Sequence, residues 1–332
     1  MLHRFRIGNT PLVTLPNLVR RGRVTLKAEQ TNPFGSVKDR TAAYLLAWAC
    51  RISGADVRVV ESTSGNLGFS LACIGRYLGI RPTLVMDSSL PEARISELRS
   101  TGADVEVVQE HRLGMTLRET RIAVAAELGE REGYVWLNQY GNPAGVQAHS
   151  ESTGPEIWDG CQGAVDAVVA SVGTGGTICG IGAALCDVSD APLIVGVEPL
   201  GSTISGGDDG DYLPAGSGMR GAPDVVVEFG HLIHYFAQTP DAVAARWALM
   251  IRDRFGIEVG QTTGAAVAVA ALLAERDGRH VVAVAPDRGS TFESAMRRLA
   301  VEPATAPDKE LIQLRAFGMT RAPVPQAKPM QP

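Results

Sequence analysis

The chain is poor in aromatic residues, at 5% of its 332 positions, and it carries only five cysteines. No two of these, Cys50, Cys73, Cys161, Cys179 and Cys186, form a Cys-x-x-Cys pair, and each stands among apolar or small residues. That argues against a disulfide framework and a thiolate metal knuckle, and it predicts buried thiols. Long apolar runs are also missing. The longest Ala/Val-rich stretch, Ala265 to Ala274, is too short to span a bilayer. Met1 to Pro16 carries charges and an Asn-Thr-Pro turn without an apolar core, so it does not read as a secretory signal. The expected location is the cytoplasm, with no membrane partner. Basic runs are absent and the net charge is −5, which argues against nucleic acid as a partner. His231 and His234 are three apart, but no third ligand stands near them, so no metal is expected.

What is present is a globular composition: 45% hydrophobic, 20% charged, and 37 glycines with no fixed period. The length exceeds the usual size of one core, so two lobes are expected. Strands are read at Val24–Glu29, Val57–Glu61, Pro82–Met86, Asp104–Val108, Tyr134–Leu137, Val165–Ser171, Leu193–Glu198 and His280–Ala285. Helices are read at Thr41–Cys50, Leu67–Leu78, Arg94–Ser100, Leu113–Glu130, Gly176–Leu185, Asp241–Arg254 and Ala265–Arg276. Their alternation predicts an α/β fold with mostly parallel sheets flanked by helices. A boundary is expected near Asn138–Pro143. The loop-rich stretch Gly201–Pro223 is long for a connection in a compact domain, which marks it as functional or mobile. The proline-rich end, 321–332, reads as a disordered tail.

Lys38 is the most informative single residue. It falls in Asn32-Pro33-Phe34-Gly35-Ser36-Val37-Lys38-Asp39-Arg40, between a sharp turn and an apolar helix. A helix N-terminus disfavours a cation, and it suits an amine that must lose its proton and attack a carbonyl. The alternative is an exposed surface lysine, with Asp39 and Arg40 as ordinary first-turn residues.

Three glycine-containing sites add to this, the first two at strand-to-helix joints. Glu61-Ser62-Thr63-Ser64-Gly65-Asn66-Leu67-Gly68 offers backbone N–H groups, two or three hydroxyls and an amide, which suit a carboxylate. Ser171-Val172-Gly173-Thr174-Gly175-Gly176-Thr177 has the form of a phosphate cradle. A dinucleotide fold would also place Gly-x-Gly here and an acid such as Glu198 after the next strand, but Ile178 stands where the third glycine belongs. In Gly260-Gln261-Thr262-Thr263-Gly264-Ala265, a hydroxyl could reach a ring nitrogen or simply cap the helix.

The ordered set Ser-Val-Lys-Asp-Arg, Thr-Ser-Gly-Asn, Gly-Thr-Gly-Gly-Thr and Thr-Thr-Gly-Ala-Ala resembles the cysteine synthase/cystathionine β-synthase family of fold-type-II pyridoxal phosphate enzymes. Gly8-Asn9-Thr10-Pro11-Leu12, Asn142-Pro143 and Thr153-Gly154-Pro155-Glu156-Ile157-Trp158 extend the likeness, which covers roughly positions 7 to 295. The resemblance implies pyridoxal 5'-phosphate held by Lys38 as a Schiff base, with Lys38 then acting as acid and base. It implies that Gly173, Thr174, Gly175, Gly176 and Thr177 hold the phosphate. Asn66 would contact the ring hydroxyl and Thr263 the pyridine nitrogen. Thr63, Ser64, Gly65 and Gln139 would bind the substrate α-carboxylate. It also implies a smaller mobile lobe (1–12 and 35–147) that closes on substrate, a larger phosphate-binding lobe (13–34 and 148–320), and a homodimer.

The reaction so implied is β-replacement on an amino acid through an aminoacrylate. Leu90-Pro91-Glu92-Ala93-Arg94-Ile95 departs from the Met-Ser-x-Glu-Arg-Arg run of the sulfide-using members. The segment around Glu61–Gly68 and Pro286-Asp287-Arg288-Gly289 is more similar to the branch that joins O-phospho-L-serine to L-glutamate. That branch gives N-(2-amino-2-carboxyethyl)-L-glutamate for 2,3-diaminopropionate. Arg220 is the candidate ligand of a leaving phosphate, and Arg94 a candidate for the incoming glutamate. The alternatives are a cysteine synthase using O-phosphoserine or O-acetylserine, a serine or threonine dehydratase, a nicotinamide-dependent oxidoreductase, and a catalytically dead regulatory partner.

Overall fold

The computed structural model describes the chain except residues 55, 214–215, 290–292, 303–306 and 318–332. The tail expected at 321–332 lies outside the described residues. The described strands are β1 (Leu12–Thr14), β2 (Arg23–Ala28), β3 (Arg58–Ser62), β4 (Thr83–Asp87), β5 (Asp104–Val108), β6 (Tyr134–Trp136), β7 (Ala167–Ser171), β8 (Leu193–Pro199), β9 (Tyr235–Thr239), β10 (His280–Ala285) and β11 (Gln313–Ala316). They form a seven-stranded sheet in the order β1-β2-β10-β7-β8-β9-β11 and a four-stranded sheet in the order β5-β4-β3-β6. The small sheet is wholly parallel. The large one is parallel except where β1 meets β2 and β11 meets β9 at its edges.

Both faces of the inner strands are covered, so β7 and β10 read as nearly unbroken apolar runs rather than alternating ones. Alternation along each strand still divides the core. Val169 and Ala283 pack under the helices Asp241–Phe255 and Gln261–Asp277. Val168 and Val282 face the other way, onto the helix Gly176–Leu185. In the small sheet Val59, Leu84 and Met86 pack with the helices Lys38–Ser53 and Asn66–Leu78. Val60 and Val85 face the helix Leu117–Gly129.

Several details depart from the sequence reading. The helix expected from Leu113 begins at Leu117, because Thr116 caps it and Glu119 reaches back to close a capping box. The short edge strands β1 and β11, the inner strand β9 and the short helices Ala144–Ala148, Gly154–Gly160 and Asp224–Phe229 are structure that periodicity does not mark. The thiols are less buried than expected. Cys179 is enclosed, Cys50, Cys73 and Cys161 are partly covered, and Cys186 is exposed at the end of its helix.

The loops that follow β2, β3, β6, β7 and β10 lie at the carboxyl ends of parallel strands and line one cavity. Ligands of open α/β sheets bind at that end.

Candidate active site

The cavity has a volume of about 520 Å³. Lys38 reaches it from the first position of the helix Lys38–Ser53, after a turn pinned by the Val37 N–H donating to the Pro286 carbonyl at 2.9 Å. Its Nζ has two long contacts, to Gln139 Oε1 at 3.3 Å and to Thr174 Oγ1 at 3.4 Å. Burial lowers the Lys38 amine from 10.5 to about 8, partly opposed by the Glu61 carboxylate. Glu61 is itself fully buried, and burial raises its carboxyl to about 8 against the Gln139 and Ser62 N–H donors and the nearby cations. Each group is therefore driven toward its neutral form. Lys38 is an amine that can surrender its proton near neutral pH.

The joint after β3 supplies the floor. Thr63 Oγ1 accepts from the backbone N–H groups of Gly65 and Gly68, both at 3.1 Å, which shapes the turn. Gly65 adopts φ +147°, and a Cβ there would stand 2.8 Å from Arg94 Nε. Ser64 is exposed into the opening, and Thr63, Ser64 and Asn66 line the cavity. Gln139 is fixed by its backbone N–H on Glu61 at 3.1 Å and by its Nε2 on the Ser62 carbonyl at 2.7 Å, which turns Oε1 toward Lys38.

The joint after β7 faces them. Gly175 has φ +89°, and a Cβ there would meet Val226 at 2.5 Å, so the turn demands glycine. Gly173, Thr174, Gly175 and Thr177 line the cavity, and the loop leads into the ten-residue helix Gly176–Leu185. Gly176 lies behind them, with its Cα side against Gly145. Free N–H groups, a helix dipole and two threonine hydroxyls make this an anion site. The fully buried His149 backs it, with Nε2 at 3.3 Å from Thr177 Oγ1 and 3.4 Å from Thr41 Oγ1.

The third glycine-containing site corrects the sequence reading. Thr262 lines the cavity, and Thr263 is not among the described lining residues. Successive side chains at a helix start point about 100° apart, so one of the two faces the cavity and the other the core. Neither buried hydroxyl has a partner among the described residues, and Thr262, on the cavity side, is the donor available to a ring nitrogen.

Arg220 is also displaced from its expected role. It is 60% exposed, pairs with Asp209 at 2.9 Å, and is not among the described lining residues. The cavity's arginines are Arg94, Arg118, Arg121 and Arg288. Arg94 comes from the Leu90–Ile95 run, lies 5.7 Å over the Phe69 ring, and has a buried Nε with no partner. Arg118 and Arg121 share one face of the helix Leu117–Gly129, three residues apart. Arg121 pairs with Asp87 at 2.9 Å in a buried contact, and its Nε is unpartnered. Arg118 donates to the Gly218 carbonyl at 2.5 Å, reaching the glycine-rich loop of the other sheet. Sequence reasoning passed over this pair; its i, i+3 spacing was the available sign. Glu198, the acid a dinucleotide fold would place on a ribose, is spent on its own loop. It accepts from Ile204 N–H at 3.0 Å, from Ser202 and Ser205 hydroxyls, and from Gln238 at 3.3 Å.

A lysine with a lowered pKa, an anion cradle across from it and an orphaned hydroxyl form the donor set that an aldehyde-bearing, phosphorylated pyridine requires. The residues present fit pyridoxal phosphate.

The family described as "Pyridoxal-phosphate dependent enzyme" matches residues 4–287. Among solved structures, the chain is similar to O-ureido-L-serine synthase at 28% identity and a TM-score of 0.80, covering 90% of this chain and 95% of that one. It is similar to O-acetylserine sulfhydrylase isoform 3 of Entamoeba histolytica at 28% identity and 0.79, covering 92% of each chain. A hydrogen sulfide-producing enzyme of Fusobacterium nucleatum matches at 29% and 0.78, covering 86% of this chain and 97% of that one. The fold is thus that of the fold-type-II enzymes, and the chain belongs to the pyridoxal-phosphate dependent enzymes, with pyridoxal phosphate as its cofactor.

Proposed function

We propose that the enzyme is a transferase that carries out β-replacement on O-phospho-L-serine with L-glutamate. The product is N-(2-amino-2-carboxyethyl)-L-glutamate, a precursor of 2,3-diaminopropionate. The relatives named above are described by serine derivatives or sulfide chemistry, which supports a serine carrying a leaving group on Cβ. The observation that carries the finer reading is the charge of the cavity wall. Lys38 and four arginines line it against two carboxylates, Glu97 and Asp287. Glu97 is paired with Arg94 and Arg121 with Asp87, which leaves Lys38, Arg118 and Arg288 against Asp287 among the described lining residues, so the surplus is cationic. Neither sulfide nor an acetate leaving group calls for such a surplus. A phosphate leaving group and an incoming dicarboxylic acid both do.

Bound on Lys38, pyridoxal phosphate supplies an electron sink for negative charge at the substrate Cα. The chain supplies the rest. Thr63, Ser64 and Gly65, on the turn after β3, and Gln139, after β6, hold the α-carboxylate. Lys38 Nζ, once the substrate amino group has displaced it, takes the α-proton. The Cβ–O bond breaks and its electron pair leaves with phosphate. The glutamate nitrogen forms a bond to Cβ and loses a proton, and Lys38 returns a proton to Cα. Arg118 and Arg121, in place of Arg220, hold the anionic groups of leaving group or nucleophile. Arg118, already bonded to the loop at Gly218, also draws the two sides of the cavity together and excludes water.

The test is to incubate the holoenzyme with O-phosphoserine and either glutamate or sulfide and to weigh the products. The carboxyethyl-glutamate is expected with release of inorganic phosphate. Cysteine as the only product would overturn the glutamate reading and leave a cysteine synthase.

A further inference from the structure

Asp287 lines the cavity, and the reaction above does not use it. It stands just past the end of β10, and three segments of the site converge on it. Its main chain forms an antiparallel bridge with Ser36, two residues before Lys38. Its carbonyl accepts from the Gly260 N–H at 3.3 Å, at the cap of the helix that carries Thr262. Its carboxylate accepts from Asn66 Nδ2 at 2.8 Å and from the Gly289 N–H at 2.9 Å. Burial raises the Asp287 carboxyl, and these two donors and the nearby Arg94 pull against that rise.

The carboxylate determines what Asn66 can offer. An asparagine amide presents a donor at one end and an acceptor at the other, and an unrestrained one can turn over. Here both ends are held. Arg94 Nη2 donates to Asn66 Oδ1 at 3.2 Å, while Asp287 takes one of the two Nδ2 hydrogens. A carboxylate only accepts, so the NH₂ end must face Asp287. The second Nδ2 hydrogen is then the one free for a cofactor oxygen.

We propose that Asp287 is a positioning residue that fixes the Asn66 amide as a donor to the ring oxygen of pyridoxal phosphate, while its main chain holds the Lys38 and Thr262 segments together. The inference rests on Asn66 meeting that oxygen, and not on the choice of nucleophile. A donor on the ring oxygen changes which tautomer of the bound cofactor is favoured, so the readout is spectroscopic.

The test is a cycle of Asp287→Ala, Asn66→Ala and the double variant, each loaded with pyridoxal phosphate. The ratio of visible to near-ultraviolet absorbance and the cofactor dissociation constant are measured. Each single variant should lower the ratio and weaken retention by about tenfold, the scale of one buried hydrogen bond. The double variant should be no worse than either single one, because both remove the same interaction. Asp287→Asn keeps the shape, cannot accept at both oxygens, and should move the ratio the same way with little change in melting temperature. That variant covers the case in which the alanine does not fold. Additive losses, or a Asp287→Asn enzyme with an unaltered spectrum, would overturn the proposal. A wild-type enzyme that prefers sulfide would sink the glutamate reading and leave this cycle unaffected.

Discussion

Lys38 and Arg40 stand two positions apart on the first turn of one helix, and the fold treats them in opposite ways. Arg40 is fully buried, and each of its three guanidinium nitrogens is engaged. It donates twice to Glu29 at 2.7 and 2.8 Å, twice to Glu156 at 2.7 Å, and to Thr10 Oγ1 at 3.3 Å. Lys27 completes the cluster, reaching Glu156 at 2.6 Å and the Thr10 carbonyl at 2.7 Å. Among the described residues Lys38 Nζ has two hydrogen-bond partners, both uncharged and neither closer than 3.3 Å. A buried cation whose three nitrogens are all engaged is architecture. One whose donors are barely used is free to change its protonation state and its bonding. Asp39 and Arg40 are thus not the ordinary first-turn residues that the sequence suggests; both are buried to 0% exposure.

The contrast is broken most severely by removing the satisfied cation. Arg40→Met leaves the buried Glu29 carboxylate without its cation and Glu156 with Lys27 alone, which costs about 3–5 kcal/mol of stability. Urea unfolding of the apoenzyme measures it. Lys38→Ala should change that stability by less than about 1 kcal/mol, because it removes a desolvated amine with weak contacts. Its loss falls on chemistry: the visible absorbance disappears, and turnover drops by at least the roughly 10²–10⁴-fold supplied by general acid–base catalysis. Equal destabilisation by the two substitutions would erase the distinction.

Acidity sharpens the same comparison with a smaller effect. Burial pushes the Glu156 carboxyl up, but its hydrogen bonds and charge contacts with Arg40 and Lys27 outweigh that and hold it at about 2, below the ordinary 4.5. A depressed carboxyl stabilises the fold above its unfolded value, so this contribution is present above about pH 4.5 and is lost as pH falls toward 2. Acid unfolding should fall in that window, and Glu156→Gln should flatten it. For Lys38 the shift is also downward, but it is the charged form that burial disfavours. Its amine is nucleophilic only when deprotonated, so capture of pyridoxal phosphate by the apoenzyme should rise with pH and reach half its plateau near pH 8. Glu61→Gln removes the carboxylate that opposes the fall and should move that midpoint lower, as coupled groups require. A midpoint near the unperturbed 10.5 would mean that Lys38 is solvated.

The loops were legible and the buried charges were not, for one physical reason. Glycine, serine, threonine and asparagine at strand ends are demanded locally, by turn geometry and by free backbone donors. Gly175 and the Thr63 turn can therefore be read within a few residues. The partners of Arg40 lie 11 and 116 positions away, so nothing near it in the chain signals burial. Arg118 and Arg121 are a partial case, since helical spacing puts them on one face but does not say what that face meets. One unused sign was the scarcity of lysine, with four among the 31 lysines and arginines. Of those four, Lys27 is buried in the ion cluster and Lys38 lines the cavity.

The finest version of the comparison concerns two adjacent threonines with orphaned hydroxyls, one facing the cavity and one the core. Thr262→Val should weaken cofactor binding by about 1 kcal/mol, roughly fivefold, if its cavity-facing hydroxyl meets the ring nitrogen as expected. Thr263→Val keeps the shape and removes a buried polar atom that has no partner, so stability should hold or rise by up to about 1 kcal/mol with cofactor affinity unchanged. Fluorescence titration and thermal melting separate the two outcomes. If Thr263→Val loosens the cofactor while Thr262→Val does not, the assignment read from sequence stands and the orientation of this helix start is wrong. The expected result instead places the ring nitrogen's partner one residue earlier, on the face that the helix turns toward Lys38.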